Sequence, residues 1–364
     1  MSLSIVIFPI LSASTSLKTI ASKGTIVSLS WLHTDGKFIK DEYNRTIHFV
    51  GATEAQTAWG NPATYPYWRH EADPKPMAQR MKELGVKWIR ICVTYTYWIN
   101  QSKDGTGKSY KDWIDEYVRE FTTKGIYCMV GCMGHEFSSD LVNDNSTDWL
   151  NFLRELANRY ISNPGMCGIY VFNEIHLTKI PVEKQRAYQL QAAQELHSIN
   201  PHLLVVVTTD RTGNRGFDPW WLNQTQPNIV CSWHQYPWQD YYYSDPPCPH
   251  AQAYAEGNYT LARQLYESYL YDRFLKYSEE YDICMMCEEF GFNDNSTLKP
   301  GDKYWNPGWP QIQRDFMDFL GKYDHSWNQY CWWIYDGANY GLANLGDYYT
   351  LSPVGKIFAQ YLAP

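Results

Sequence analysis

Two glutamates follow short apolar runs that are far apart in the chain. Glu174 comes after Val171-Phe172-Asn173, and Glu289 comes after Met286-Cys287-Glu288. Two carboxyl groups can cleave a glycosidic bond, because one protonates the departing oxygen while the other attacks the anomeric carbon or activates water. These residues could perform that chemistry only if the fold brings the two glutamates to one place.

The elements that must position them are eight short, continuous apolar runs, which are typical of parallel strands buried on both faces. The runs are Ile47–Gly51, Lys87–Val93, Ile126–Cys132, Gly168–Phe172, Leu203–Thr208, Ile229–Ser232, Ile283–Cys287 and Tyr330–Ile334. Segments with helical spacing lie between most of them, at Pro76–Leu84, Tyr110–Lys124, Trp149–Tyr160, Val182–Ile199, Tyr259–Glu280 and Ile312–Tyr323. Gly, Asn or Pro follows several of these helical segments, as is usual at helix ends.

Alternating strands and helices through most of eight units predict an α/β fold, specifically a closed (β/α)8 TIM barrel. An open dinucleotide-binding sheet is disfavoured because no G-x-G-x-x-G motif follows the first strand. The segment Ile26–Ile47 is predicted to form a hairpin that turns at Asp35-Gly36 and closes the bottom of the barrel. We expect one catalytic domain over residues 1–364, with residues 1–30 as an extension of uncertain role.

Charge and hydropathy exclude two classes of partner. The net charge is −8 and no basic run is present, whereas a nucleic-acid site would need a cationic stripe. No apolar stretch is long enough to cross a membrane. The 16 Trp and 30 Tyr fit either a large aromatic core or a surface that stacks flat ligand faces.

The nine cysteines predict free thiols rather than a disulfide framework. Eight fall in or beside the apolar runs, where cysteine usually behaves as a small buried hydrophobe. They are Cys92, Cys128, Cys132, Cys167, Cys231, Cys284, Cys287 and Cys331. Six N-x-S/T triplets favour a secreted or extracellular protein, although the N-terminal apolar segment lacks the positive charge of a clear signal peptide.

Several polar residues also occupy predicted strand ends, where barrel side chains converge on one mouth. Five segments together resemble glycoside hydrolase family 5 and its clan of barrel enzymes with catalytic glutamates on strands four and seven. They are Trp88-Ile89-Arg90, Phe172-Asn173-Glu174, His234-Gln235-Tyr236, Glu289-Phe290-Gly291 and Trp333 in Cys331-Trp332-Trp333. The resemblance implies that Glu174 is the general acid/base and Glu289 the nucleophile of a retaining enzyme.

The resemblance also implies roles for the residues around the two glutamates. Asn173 would bind the sugar 2-hydroxyl, and Arg90 and Tyr236 would hold the nucleophile. His234 would lie beside the acid/base, and Trp333 would stack beneath the sugar at the point of cleavage.

Two positions depart from the family pattern. The family has a histidine near the end of strand three, whereas here His135 comes later than the usual register, so it either substitutes or belongs to a loop. The residue before the nucleophile is usually small, but here it is Glu288. Since neighbouring strand residues point in opposite directions, Glu288 is expected to face away from the mouth.

The predicted activity is endo-hydrolysis of a β-1,4-glucan such as cellulose, with Trp238 and Trp305 as candidates for a sugar-stacking platform. A β-1,4-mannanase on the same scaffold and a non-catalytic carbohydrate-binding barrel are the alternatives. A metal-dependent hydrolase would need a His and Asp cluster at the strand ends, and only His234 clearly qualifies. The expected partner is therefore a polysaccharide or oligosaccharide, with no cofactor and no metal.

Overall fold

The structure is a computed structural model that describes residues 29–55, 57, 73–103, 107–133, 137–175, 178–209, 216–332, 341–344 and 349–362. Eight parallel strands form a closed barrel in which each strand pairs with the next along the chain and the last pairs with the first. From first to eighth, they are β3 (Val50–Glu54), β4 (Trp88–Val93), β5 (Tyr127–Cys132), β6 (Met166–Tyr170), β7 (Leu204–Thr208), β8 (Ile229–Gln235), β9 (Met285–Phe290) and β10 (Ser326–Gln329). The predicted TIM barrel is confirmed.

Helices surround the barrel. They are α1 (Pro74–Leu84), α2 (Tyr95–Ile99), α3 (Tyr110–Thr122), α4 (Ser138–Val142), α5 (Thr147–Arg159), α6 (Val182–Ile199), α7 (Pro237–Tyr242), α8 (Pro249–Ala255), α9 (Tyr259–Leu270), α10 (Lys276–Tyr281), α11 (Gln311–Lys322) and α12 (Pro353–Gln360). A π-helical turn at Tyr271–Leu275 joins α9 to α10, within the segment predicted as one helix. None of the described helices is long and apolar enough to cross a membrane.

Alternate side chains of strand β4 pack on opposite sides of the barrel wall. Ile89, Ile91 and Val93 pack in the core between the strands and the helices. Trp88 belongs instead to the cluster that fills the lower barrel. Arg90 shares the inward face with Trp88, since side chains alternate along a strand. The same alternation that builds the core therefore points a charged side chain into the barrel.

The N-terminal hairpin consists of β1 (Leu32–Asp35) and β2 (Phe38–Asp41), which pair antiparallel. It turns at Gly36, whose φ of +55° is readily adopted by glycine. Thr34 N donates to Asn228 Oδ1 over 2.9 Å, just before β8 begins. Leu32 and Ile39 pack against the cluster that fills the lower barrel. The hairpin thus covers the end of the barrel at which the strands begin, as the sequence predicted.

Two barrel strands occupy different residues from the apolar runs that were predicted to form them. The first strand is Val50–Glu54 rather than Ile47–Gly51, and the eighth is Ser326–Gln329 rather than Tyr330–Ile334. Both observed strands carry buried polar side chains, and Thr53 Oγ1 donates to Asn328 Oδ1 inside the barrel. An apolar run is a poor marker for strands whose inner face lines a polar cavity.

All nine cysteines are free thiols, which confirms the prediction. The eight that fall in or beside the apolar runs are buried, and Cys248 is partly buried. The barrel wall therefore contains small apolar sulfur side chains rather than covalent cross-links.

Candidate active site

The polar residues singled out by the sequence meet at the end of the barrel where the strands finish. Arg90 lies within β4, and Asn173 and Glu174 follow the end of β6. His234 is the second-to-last residue of β8, and Glu289 is the second-to-last residue of β9. The two residues are paired in register. Parallel strands bring their carboxyl ends to one mouth, so residues far apart in sequence become neighbours.

Glu174 reaches the cavity through an unusual backbone conformation. Its φ is +47°, in the left-handed region that non-glycine residues rarely adopt. Such a conformation costs on the order of 1–3 kcal/mol and is found most often at functional sites. The side chain of Glu174 is 24% exposed, whereas Glu289 is nearly fully buried. The two carboxyl groups therefore differ in their access to solvent.

Arg90 is the fully buried cation of the site. Its Nη1 donates to Glu289 Oε2 over 2.5 Å, and its Nη2 donates to Asn173 Oδ1 over 2.5 Å. The guanidinium also lies over the ring of Tyr170, 4.4 Å from its centroid. Burial opposes the charge on Arg90, but Glu288 and Glu289 outweigh burial and raise its pKa well above the usual value. Arg90 thus links the nucleophile candidate to the residue before Glu174.

Tyr236 supplies a second hydrogen bond to Glu289. Its hydroxyl donates to Glu289 Oε1 over 2.7 Å, so each carboxylate oxygen of Glu289 accepts a hydrogen bond from a different wall of the barrel. Burial and the nearby carboxylate raise the pKa of Tyr236 well above its usual value, which keeps the phenol protonated as a donor. This arrangement fixes the orientation of the Glu289 carboxylate.

His234 lies between two glutamates. Its Nδ1 is 3.3 Å from Glu174 Oε1, and its Nε2 is 3.2 Å from Glu288 Oε1. Burial disfavours the protonated ring, but Glu289, Glu174 and Glu288 outweigh burial and raise the pKa of His234 to about 10. A carboxylate faces each ring nitrogen, and this geometry favours an imidazole that carries a hydrogen on both nitrogens.

The expectation that Glu288 faces away from the mouth is wrong. The pairing of β8 with β9 shifts between Trp233, opposite Cys287, and His234, opposite Glu289, so Glu288 is left without a counterpart. Such a bulge breaks the strict alternation of side chains. Glu288 consequently lies inside the barrel, 1% exposed, beside His234 and 3.9 Å from Arg90 Nη2.

The distance between the two candidate catalytic carboxylates is short. One oxygen of Glu174, one oxygen of Glu289 and one ring nitrogen of His234 lie within 4.8 Å of one another. Those atoms have the spacing of metal ligands, but Arg90 already donates to Glu289, and its buried cation would repel a metal ion placed among them. The arrangement suits proton transfer and nucleophilic attack on a substrate held between the two glutamates.

A family model described as cellulase, glycosyl hydrolase family 5, matches residues 43–336. The chain belongs to glycosyl hydrolase family 5. It is therefore a glycoside hydrolase, and the family recognised from the five sequence segments is confirmed.

Solved structures similar to this family 5 chain have the same barrel. The catalytic domain of the major endoglucanase from Xanthomonas campestris pv. campestris matches with a TM-score of 0.67 at 15% identity, over 91% of this chain and 99% of that one. An endocellulase from Pyrococcus horikoshii, in complex with cellotetraose, matches with a TM-score of 0.69 at 13% identity, over 93% and 100% of the two chains. At this identity the likeness concerns the fold.

Four other site residues were predicted for a family 5 enzyme. His135 and Trp333 lie outside the described residues. Trp238 packs against Tyr236 and Tyr304 and is only 6% exposed, so it offers little ring surface to a ligand. Trp305 is partly buried and contacts the ring of Tyr241.

Sequence reasoning missed Tyr170, which lies beneath Arg90 in the family 5 site. Tyr170 was considered only as part of a strand, although an aromatic ring is a common neighbour of a buried guanidinium. Tyr243, one of the aromatic residues that follow the sixth barrel strand, is 63% exposed. It lies 5.6 Å from Trp238, between ring centroids, in an aromatic series that starts at Tyr236.

Proposed function

We propose that this protein is a retaining endo-β-1,4-glucanase that uses Glu174 as general acid/base and Glu289 as nucleophile. The observation that carries the proposal is the approach of the two carboxylates within 4.8 Å across the barrel mouth. Retaining glycosidases place the two carboxyl groups roughly 5–5.5 Å apart, whereas inverting enzymes leave roughly 6.5–9.5 Å for a water molecule.

In the first step, an oxygen of Glu289 attacks the anomeric carbon while Glu174 donates its proton to the departing glycosidic oxygen. The sugar is then held as an ester of Glu289, and the leaving sugar carries the proton. In the second step, Glu174 takes a proton from water, whose oxygen attacks the anomeric carbon and releases Glu289. Both glutamates return to their starting states.

The contacts of Glu289 support its role as the nucleophile. Arg90 and Tyr236 donate to its two oxygens, which holds the carboxylate in one orientation for attack. Glu174 is more exposed and contacts His234 rather than Arg90, which suits a group that exchanges protons with substrate and water. Asn173, held by Arg90, is proposed to bind the sugar 2-hydroxyl.

The choice of a glucan draws on the family's description as cellulase and on the endoglucanases among similar structures. A polymeric substrate also fits the extracellular location expected from the sequence. Reducing-sugar release from carboxymethyl-cellulose, barley β-glucan and galactomannan would test this choice, and preference for the mannan would establish the mannanase alternative instead.

The mechanism is tested separately from the substrate. We expect Glu289→Ala to lose nearly all activity, and proton NMR of fresh products to show the β-anomer first. Initial release of the α-anomer would contradict retention. Activity of the intact enzyme should be unchanged by EDTA, and its loss would point to a metal-dependent hydrolase.

A further inference from the structure

Glu288 is a third carboxylate in the barrel, beyond the pair that the proposed reaction requires. It is 1% exposed, and its Oε1 lies 3.2 Å from Nε2 of His234. The other ring nitrogen of His234 lies 3.3 Å from Glu174 Oε1. A single imidazole thus joins Glu288 to the proposed acid/base.

Burying a carboxylate costs several kcal/mol unless charges and hydrogen bonds compensate it. Glu288 has such compensation from two elements, since Arg90 Nη2 lies 3.9 Å from its Oε1 and His234 donates to it. Burial raises the pKa of Glu288, but these two cations outweigh burial and leave it below the usual value. Glu288 is therefore present as a carboxylate.

Glu288 lies among the ionisable groups of the site. Arg90 contacts both Glu288 and Glu289, and His234 contacts both Glu288 and Glu174. The phenol of Tyr236, which faces Glu289, stays uncharged. Glu289 Oε1 also lies 3.9 Å from His234 Nδ1 and adds to the field that favours the cation.

The hydrogen on Nδ1 is the one that matters for Glu174. An imidazolium donates from both nitrogens, so Nδ1 can stabilise the Glu174 carboxylate left after proton transfer. A neutral ring whose single hydrogen lies on Nε2 would present a lone pair to Glu174 instead. That lone pair would bind the protonated carboxylic acid and resist release of its proton.

We propose that Glu288 is a positioning residue for the acid/base, holding His234 as an imidazolium so that its Nδ1–H donates to Glu174. This inference rests on the proposed function, because it assumes that Glu174 transfers the proton. The bulge in β9 is the structural device, since it turns Glu288 inward beside the nucleophile candidate.

Glu288→Gln tests the proposal, because glutamine preserves shape but removes the charge. We expect kcat/KM for phenyl β-cellobioside to fall roughly 10- to 100-fold, within the contribution of a general acid. With 2,4-dinitrophenyl β-cellobioside, whose leaving group needs no proton, the loss should be less than about threefold. The basic limb of the pH profile of kcat/KM should move to higher pH. Loss of the Nδ1–H donor destabilises the carboxylate form of Glu174 more than its protonated form, so Glu174 keeps its proton to higher pH.

Two control variants distinguish a specific role of Glu288 from a general effect of removing a buried charge. Asp315→Asn removes a fully buried carboxylate that binds Tyr254 and Arg263 away from the site. This variant should leave kcat/KM for both substrates and the pH profile unchanged. Glu174→Gln should show the same leaving-group dependence more strongly. If Glu174→Gln lacks this leaving-group dependence, the proposed function fails. If Glu174→Gln shows it but Glu288→Gln loses activity equally on both substrates, the role of Glu288 is overturned.

Nitrogen-15 NMR of the wild-type enzyme provides a test that does not depend on how the variant folds. We expect the His234 ring, assigned by its absence in His234→Gln, to show two protonated nitrogens at pH 7. A neutral ring with one protonated nitrogen would overturn the proposal.

Discussion

The hydroxyl of Tyr236 donates to Glu289 Oε1 over 2.7 Å, and this contact joins the end of β8 to the end of β9. Arg90 binds the other oxygen of the same carboxylate, so Tyr236 and Arg90 together orient Glu289, while His234 Nδ1 lies 3.9 Å from Oε1.

Tyr236→Phe removes that hydrogen bond without changing the ring. Hydrogen bonds to charged groups contribute about 1.5–3 kcal/mol, so we expect kcat/KM to fall roughly 10- to 100-fold. Steady-state kinetics on a β-glucan would measure the change. Tyr254→Phe is the matched control, since Tyr254 donates to buried Asp315 over 2.6 Å far from the cavity. Equal losses in the two variants would argue against a specific role for Tyr236.

Arg90→Met should destabilise the protein as well as inactivate it. The substitution leaves the buried carboxylates of Glu288 and Glu289 without their cation, and breaking such a pair costs about 3–5 kcal/mol. Urea unfolding would measure the decrease in free energy. Arg154→Met breaks a partly exposed pair with Glu195 and should cost less than about 1 kcal/mol. A small effect at Arg90 would mean that the carboxylates accept protons instead.

The free energy of unfolding should fall as the pH rises from about 6.5 to about 10. Neighbouring carboxylates raise the folded-state pKa of His234 to about 10, from an ordinary value of 6.5. A raised pKa stabilises the folded protein fully below the unfolded-state value, and this contribution is lost as the pH approaches the folded-state value. Urea unfolding at several pH values should show this slope in wild type and in His202→Gln, which changes an exposed histidine. His234→Gln should flatten it, and an unchanged slope would contradict the assignment.

The exposed ring of Tyr243, rather than buried Trp238, should bind a sugar away from the point of cleavage. We expect Tyr243→Ala to raise KM for long oligosaccharides a few-fold and to leave kcat nearly unchanged, since binding shared by ground and transition states affects KM alone. Tyr281→Ala removes a similarly exposed ring at the opposite end of the barrel and should leave KM unchanged. An unaltered KM in Tyr243→Ala would remove this ring from the binding surface.

Much of the barrel follows from sequence because its wall obeys a simple pattern. Runs such as Leu203–Thr208 are apolar on both faces, since helices cover one side and the barrel core the other. The same pattern fails at Ser326–Gln329, where the inner side chains are polar and hydrogen-bonded. The first and eighth strands, whose inner faces carry polar side chains, are therefore the ones that hydrophobicity locates least well.

The candidate site was predictable as a set of residue types, but not in its contacts. Glu174, Glu289, Arg90 and Tyr236 stand at the ends or inner faces of predicted strands, so their convergence follows from parallel topology. The position of Glu288 depends on a register shift between two strands that are about fifty residues apart in sequence. No local pattern encodes that shift, because it arises from pairing across the barrel.

The hairpin Leu32–Asp41 seals the barrel at the end opposite the glutamates. Because side chains also fill the lower barrel, the proposed polymeric substrate cannot thread along the barrel axis, and must lie across the open rim with both of its ends in solvent. Substrate entry and the departure of both cleaved fragments share one opening. Accumulating fragments would compete with fresh polymer there, so turnover should slow as a digestion proceeds even while intact chains remain.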